Sequence, residues 1–153
     1  MAKRILAVDD EASIRRLVTI TLENRGFIVE TANDGQEAID KIAISKPDLV
    51  VLDVMMPKMT GWEVRNRLRA DPKTANLPII IASAVGEFES QLAGMESDQD
   101  DYITKPFSPV ALGDLVEGML DPSKRAKAAG DHQKNKAKLK AMVDIMHRSH
   151  DND

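Results

Sequence analysis

One short stretch of this sequence is apolar without interruption and then ends in an acid. Residues 49–52 read Leu-Val-Val-Leu, and Asp53 follows them directly. A short continuous apolar run predicts a strand that is buried on both faces, as in a parallel sheet. In an open parallel sheet, ligands bind beyond the carboxyl ends of the strands. Asp53 is therefore either the start of an ordinary turn or part of a binding site, and the stretch alone favours neither.

The first 120 residues alternate between strand patterns and helix patterns. Each strand pattern is followed by apolar residues at three- and four-residue intervals, which predict a helix. Regular alternation predicts a parallel α/β sheet with right-handed connections and helices on both faces. The first strand is not followed by G-x-G-x-x-G, so the best fit is a doubly wound, flavodoxin-like sheet of order 2-1-3-4-5 with five helices. The five predicted strands are residues 4–8, 27–31, 49–52, 78–83 and 102–105.

Charge is distributed unevenly along the chain. Residues 1–120 contain 13 basic and 20 acidic residues, a net charge of −7, whereas residues 121–153 contain 8 and 5, a net charge of +3. This contrast predicts a domain over residues 1–120 and a basic linker and tail over residues 121–153. Apolar residues at helical spacing predict an amphipathic helix in the tail that docks on the domain, dimerises or binds an anionic surface; disorder is the alternative. The apolar residues of this helix are Leu139, Met142, Val143 and Met146.

Composition excludes several classes of function. The chain has no cysteine, which excludes disulfides, thiolate chemistry and cysteine zinc sites. No apolar run approaches the roughly 20 residues of a membrane span, and the first residues lack the apolar core of a signal peptide. We therefore expect a cytoplasmic protein without a membrane span. The tail is too short for a DNA-binding domain, so direct binding of nucleic acid is not expected.

Polar side chains follow four of the five predicted strands. Asp9 and Asp10 follow the first strand, Asp53 the third, Ser83 the fourth and Lys105 the fifth. Taken singly, an acidic pair caps a helix, a serine forms a turn and a lysine is solvated. Because the carboxyl ends of parallel strands lie at one edge of a sheet, these side chains are expected to meet there. Their coincidence favours a binding site.

The chemistry that suits this set is phosphoryl transfer to a carboxylate. Three clustered carboxylates repel one another unless a cation neutralises them, and oxygen ligands favour Mg²⁺. Lys105 and the Ser83 hydroxyl can each bind a phosphoryl oxygen. Asp53, presented by a rigid strand, is the candidate nucleophile. Such a site acts mainly by positioning and charge neutralisation.

The motifs at the strand ends resemble the receiver domain of bacterial two-component response regulators, over about residues 3–120. This resemblance implies a phosphorylation-dependent signalling switch, similar to the single-domain chemotaxis receivers, and not an enzyme that acts on a separate substrate. The implied phosphoryl donors are a histidine kinase, a phosphotransfer protein or a small acyl phosphate. The matching motifs are Val-Asp-Asp-Glu at residues 8–11, Leu-Asp-Val-Met-Met-Pro at 52–57 with Gly61, Ser-Ala at 83–84, and Asp-Tyr-Ile-Thr-Lys-Pro-Phe at 101–107.

The resemblance assigns the metal ligands and the phosphoacceptor. It implies that Asp53 accepts the phosphoryl group. It also implies that Asp9 and Asp10 hold Mg²⁺, directly or through water. Asp53 itself and the backbone carbonyl of Met55 would complete the protein ligands.

The resemblance also assigns the residues that sense the phosphoryl group. Ser83 and Lys105 would bind its oxygens, and Tyr102 would be an aromatic switch that turns inward when Ser83 moves. The peptide bond between Lys105 and Pro106 is expected to be cis. The surface formed by the fourth helix, the fifth strand and the fifth helix would then change for a downstream protein target. That face, or the tail, is also a possible homodimer interface.

The fourth predicted helix departs from the family pattern. Gly86 and Gly94 interrupt its apolar residues, and each glycine costs a helix roughly 1 kcal/mol against alanine. Asp98 and Gln99 stand where receivers usually have a small Gly-Ala pair. The helix is therefore expected to end early.

Two other functions are considered. A hydrolase of the haloacid dehalogenase type also uses an aspartate nucleophile and Mg²⁺, but it needs a second acid two residues later, where this chain has Met55. That function is rejected. A receiver-like scaffold that is not phosphorylated is the remaining alternative. The complete acidic set, with Ser83 and Lys105, argues against it, because a scaffold does not need these residues.

Overall fold

The computed structural model describes residues 2–84 and 100–121 of the 153-residue chain. The predicted fourth helix and the predicted tail helix lie outside the described residues, so α4 below is the fifth helix of the sequence prediction. The elements in order are β1 (Arg4–Val8), α1 (Ala12–Glu23), β2 (Ile28–Ala32), α2 (Gly35–Ile44), β3 (Leu49–Asp53), α3 (Gly61–Ala70), β4 (Ile79–Ser83), β5 (Asp100–Thr104) and α4 (Pro109–Leu120).

The five strands form one parallel sheet in the order β2-β1-β3-β4-β5. This confirms the predicted α/β, flavodoxin-like topology. The register pairs Asp53 with Ala82 and Ser83 with Thr104. The carboxyl ends of β3, β4 and β5 are therefore level with one another, and the residues that follow them lie at one edge of the sheet.

Burial on both faces of the sheet makes β3 the centre of the fold. All five of its residues are buried, as the uninterrupted apolar run predicts. Alternate residues along the strand point to opposite faces. Val50 and Leu52 belong to the core that includes residues of α2 and α3, whereas Leu49 and Val51 belong to the core that includes residues of α1 and α4.

Side-chain caps fix where three of the helices begin. The side chains of Asp34, Thr60 and Ser108 each accept a hydrogen bond from the backbone N–H three residues later, at 2.8, 3.3 and 3.3 Å. Caps of this kind satisfy N–H groups that have no partner inside the helix. Among the helices described, none combines the length and the apolar character that crossing a membrane requires.

The start of β5 is the one strand boundary that the sequence places wrongly by more than one residue. The strand begins at Asp100, two residues before the predicted start, and both Asp100 and Asp101 are buried. Asp100 Oδ2 accepts hydrogen bonds from Arg65 Nε at 3.0 Å and Nη2 at 2.8 Å, and its Oδ1 accepts one from Arg69 Nη2 at 2.5 Å. Two consecutive acids in a sequence suggest an exposed loop. Here Asp100 is buried within a strand instead, because the arginines of α3 neutralise its charge.

We expect Asp100→Ala to lower the free energy of unfolding by about 3 kcal/mol, because it leaves the guanidinium groups of Arg65 and Arg69 without their buried partner. Urea unfolding followed by circular dichroism measures this change. Asp114→Ala is the matched control, since Asp114 is 53% exposed and pairs with Arg25 at the surface. The control should cost less than about 1 kcal/mol. Equal, small losses in both variants would contradict a buried ion pair at Asp100.

Candidate functional site

The side chain of Lys105 joins two buried carboxylates at the carboxyl edge of the sheet. Its Nζ donates to Asp9 Oδ2 at 3.0 Å and to Asp53 Oδ1 at 2.9 Å. Asp9 follows β1, Asp53 ends β3 and Lys105 follows β5. Both carboxylate residues are only 4% exposed. The structure thus brings together three residues that are up to 96 positions apart in sequence, as the parallel topology predicts.

Asp10 completes a cluster of three carboxylates. One oxygen from each of Asp9, Asp10 and Asp53 lies within 4.8 Å of the others, and Asp10 is the exposed member. Hard oxygen ligands that converge next to solvent fit Mg²⁺, which keeps several water ligands and takes only one or two carboxylates directly. The donor set in this structure therefore fits the predicted ion.

Burial of these groups shifts their ionisation. Burial raises the pKa of Asp53 from 3.8 to about 6, against the opposing effect of the Lys105 hydrogen bond, and the nearby charge of Asp9 raises it further. For Lys105, burial lowers the pKa, but the hydrogen bonds to Asp53 and Asp9 outweigh it and the net shift is upward. Lys105 therefore stays cationic at neutral pH, but its hydrogen bond does not fully offset the cost of burying the Asp53 charge. An additional cation would stabilise its ionised form.

Ser83 is the last residue of β4 and lies beside the end of β3. Its neighbour Ala82 pairs with Asp53, and its own carbonyl accepts a hydrogen bond from the Lys105 backbone N–H at 2.9 Å. The Ser83 hydroxyl is buried and has no hydrogen-bond partner among the described residues. Because a buried unpaired hydroxyl costs about 1–3 kcal/mol, it is typical of a site whose ligand supplies the partner. Within the described part of the chain, the Ser83 hydroxyl is thus available to donate to a ligand.

The loop after Asp53 packs tightly against the strand that carries it. Gly61 N donates to the Val54 carbonyl at 2.8 Å, and a Cβ atom on Gly61 would lie 2.2 Å from the Asp53 carbonyl oxygen. Only glycine permits this approach. Met55, within the same loop, has a side chain that is 59% exposed. The role of its carbonyl as a metal ligand stays a prediction.

The structure also locates Tyr102 and the peptide bond before Pro106, whereas the switching role of Tyr102 stays a prediction. Tyr102 is buried in the core cluster that includes residues of α2 and α3, so its ring already lies inward. The Lys105–Pro106 peptide bond is cis. The site thus lies at the ends of strands whose apolar residues, including Tyr102, belong to the core, and it opens to solvent through Asp10.

The sequence prediction missed Arg15, in the first turn of α1. Its Nη1 donates to the Asp9 carbonyl at 2.7 Å, and its side chain lines a cavity of about 10 Å³ together with Asp9, Asp53 and Phe107. A signal was present in the sequence, because a cation near a helix N-terminus is opposed by the helix dipole and calls for a local partner. The acidic pair does not cap α1: the residue at the N-cap position is Glu11, no side chain caps the helix there, and Asp9 Oδ1 accepts from Glu11 N at 3.0 Å in the turn before the helix.

The family model of the response regulator receiver domain matches residues 5–117. The chain belongs to this family. Among its relatives, the alkaline phosphatase synthesis transcriptional regulatory protein PhoP of Bacillus subtilis is 44% identical over 131 residues, which cover 86% of this chain and 54% of PhoP. The chain spans about half the length of the curated relatives it matches.

Solved receiver structures share the fold over nearly their whole length. The chemotaxis protein CheY4 of Vibrio cholerae superposes with a TM-score of 0.71 at 34% identity, covering 78% of this chain and 100% of CheY4. The response regulator TrrA of Thermotoga maritima, solved in complex with Mg²⁺-BeF, has a TM-score of 0.68 at 36% identity and covers 77% and 99% of the two chains. The receiver fold of this chain is therefore established by both topology and similarity.

The raised pKa of Asp53 predicts how stability depends on pH when no metal is bound. Between about pH 4 and pH 6 the folded receiver keeps a proton on Asp53 that the unfolded chain has lost, because its pKa is 3.8 ordinarily and about 6 here. The wild type should therefore lose stability relative to Asp53→Asn as pH rises through this window, by about 2 kcal/mol in total, with no further change above it.

Urea unfolding of both proteins in EDTA, at steps from pH 4 to pH 8, measures this difference. Carboxylates outside the cluster of Asp9, Asp10 and Asp53 are common to the two proteins and cancel in the comparison. A difference in stability that is constant across this range would show that Asp53 has an ordinary pKa in the folded protein.

Proposed function

We propose that this receiver domain is a phosphorylation-dependent switch of a two-component system, in which Asp53 accepts the phosphoryl group. The observation that carries the proposal is the carboxylate cluster of Asp9, Asp10 and Asp53, two of whose members are bridged by Lys105. The Ser83 hydroxyl at the next strand end, which has no hydrogen-bond partner among the described residues, supports it. Acids, a cation and a hydroxyl donor are the groups that phosphoryl transfer to a carboxylate requires.

In the proposed transfer, an oxygen of the ionised Asp53 carboxylate attacks the phosphorus atom of the donor. An oxygen–phosphorus bond forms, and the bond from phosphorus to the donor's leaving atom breaks. That atom keeps the electron pair; it is the imidazole nitrogen of a phosphohistidine or the carboxylate oxygen of an acyl phosphate. Lys105 neutralises charge on the phosphoryl oxygens, and the Ser83 hydroxyl donates a hydrogen bond to one of them.

Asp9, Asp10 and Asp53, with the carbonyl of Met55, would hold Mg²⁺. When bound, this ion supplies charge neutralisation for the phosphoryl oxygens. The protein's own contribution is to hold the carboxylates in place: Asp9 and Asp53 are buried and bonded to Lys105, so their positions are set before any ligand arrives. In this proposal the domain promotes only its own phosphorylation and dephosphorylation.

The output of the switch is a change in surface. In the proposal, Ser83 is drawn toward the phosphoryl group, and the already buried ring of Tyr102, two residues before the end of β5, moves toward the space that Ser83 leaves. The surface around β5 and α4 then changes its affinity for a downstream protein. Upstream partners would be a histidine kinase or a phosphotransfer protein, which deliver the phosphoryl group to Asp53.

Incubation with Mg²⁺ and acetyl phosphate, followed by intact-mass measurement, tests the proposal. We expect a gain of one phosphoryl group that requires the divalent cation and is abolished by Asp53→Asn. Asp40→Asn, an exposed carboxylate on α2, is the matched control and should be phosphorylated as the wild type is. A wild type that gains no phosphoryl group under these conditions would instead support the scaffold function.

The phosphoryl group should be comparatively long-lived. Met55, two residues after Asp53, is exposed and apolar, so it hinders the approach of water without orienting it by a hydrogen bond. Val85 holds the corresponding position after Ser83 and lies outside the described residues. Asn at both positions should shorten the half-life several-fold, as followed by the decay of the phosphorylated mass after removal of the donor. Ile44→Asn, at an exposed apolar residue at the carboxyl end of α2, should leave the half-life unchanged.

An unaltered half-life in the double variant at Met55 and Val85 would mean that neither side chain controls access of water to the phosphoryl group.

A further inference from the structure

Arg15 lies at a position where the dipole of α1 opposes a cation. Its backbone N–H donates to the Glu11 carbonyl at 3.1 Å, which places it in the first turn of α1, and that turn contains no acidic residue to offset its charge. The positive end of the helix dipole lies at this terminus. The adjacent Arg16 is exposed, whereas Arg15 is half-buried. A cation held in this place needs a specific partner.

That partner is the backbone of the acidic pair. Arg15 Nη1 donates to the Asp9 carbonyl at 2.7 Å. The other polar groups of Asp9 are also engaged: its N–H donates to the Ala32 carbonyl, and its two carboxylate oxygens accept from Glu11 N and Lys105 Nζ. Asp9 is therefore bonded on every side, and the Arg15 contact is the one that orients its carbonyl.

The carbonyl of Asp9 belongs to the peptide plane that it shares with Asp10. Since a peptide unit is planar, fixing the carbonyl direction also fixes the N–H and restricts where the next side chain points. The exposed Asp10 carboxylate makes no side-chain hydrogen bond among the described residues, yet it lies within 4.8 Å of Asp9 and Asp53. Its placement therefore depends on its backbone.

We infer that Arg15 is a positioning residue of this site: by holding the Asp9 carbonyl it aims the Asp10 carboxylate at Asp53, so that affinity for Mg²⁺ depends on its guanidinium. The inference rests on the proposed function, because it concerns the metal that phosphorylation requires. Arg15 and Lys105 reach the acidic cluster from different elements, α1 and the end of β5. Lys105 binds the carboxylates themselves, and Arg15 binds the backbone that presents them.

Removal of the Arg15 guanidinium would change the affinity for Mg²⁺ in two opposite ways, one through charge and one through positioning of the ligands. Removing a cation next to three carboxylates should, through charge alone, tighten the binding of Mg²⁺. Loss of positioning should weaken it, and removal of groups that orient metal ligands typically costs 10- to 100-fold in affinity. Arg15→Met therefore separates the two effects by the sign of the change.

The experiment titrates each protein with Mg²⁺ alone and follows backbone amide chemical shifts around residue 10 by NMR. We expect Arg15→Met to weaken binding about 10-fold. Arg15→Lys, which keeps the charge and one donor, should lie between Arg15→Met and the wild type. Arg16→Met is the matched control and should bind as the wild type does, while Asp10→Ala marks the loss of a ligand.

A second readout separates positioning from general damage to the fold. With acetyl phosphate as donor, Arg15→Met should need about 10-fold more Mg²⁺ for half-maximal phosphorylation yet reach the wild-type rate at saturation. A merely structural role would lower the melting temperature and leave the Mg²⁺ affinity of the folded protein unchanged, which would overturn the inference. Should Arg15→Met fail to fold, wild-type affinity in Arg15→Lys would overturn it equally.

The outcomes also distinguish this inference from the proposed function. If the wild type neither binds Mg²⁺ nor gains a phosphoryl group, both the inference about Arg15 and the proposed function are wrong. The other case is a wild type that binds Mg²⁺ and is phosphorylated, with an Arg15→Met variant that binds Mg²⁺ equally or more tightly. That result would support the phosphoacceptor role of Asp53 and overturn only the role of Arg15.

Discussion

The bridge from Lys105 to Asp9 and Asp53 is the interaction on which the rest of the site depends. Two carboxylates that are 4% exposed are costly to bury without a cation, and Lys105, 96 positions after Asp9, supplies that cation. One ammonium cannot balance three clustered acids, and burial, together with the nearby charges of Asp9 and Asp10, raises the pKa of Asp53 to about 6. The fold thus supplies a site that is held together in the absence of ligand and still has excess negative charge for a divalent ion.

The same lysine fixes one end of the edge strand, and a second ion network fixes the other. β5 begins with Asp100, which is held by Arg65 and Arg69 of α3, and it is followed by Lys105 in the acidic site. Tyr102 lies buried between these ends. An edge strand paired on one side only gains its register from both networks in addition to the backbone ladder with β4. The two networks lie at opposite ends of the strand.

Much of this arrangement can be predicted from the sequence, because its signals are local. The uninterrupted apolar run before Asp53 predicts a doubly buried strand, and the acids, serine and lysine after successive strands predict a shared edge. The buried start of β5 could not be predicted in this way. Its cause is the pairing of Asp100 with arginines that lie 35 and 31 residues earlier on α3, and neither the acid nor the arginines show that pairing locally. The role of Arg15 can be predicted only in part. The sequence shows a cation near a helix N-terminus, where the dipole opposes it, but it does not show which group is its partner.

Under the proposed function, the two cations of the site have separate consequences. Lys105 contacts the carboxylates that would take the metal and the phosphoryl group, so its two hydrogen bonds must rearrange when Asp53 is phosphorylated. The Arg15 guanidinium donates to the Asp9 carbonyl, which neither ligand uses in this proposal, so that hydrogen bond can persist through the cycle. The change would therefore be transmitted through the end of β5 that carries Lys105 and lies two residues from the buried Tyr102, while the β1–α1 loop stays fixed. Because Lys105 must move and Arg15 need not, the site can alter the β5–α4 surface without losing its metal ligands.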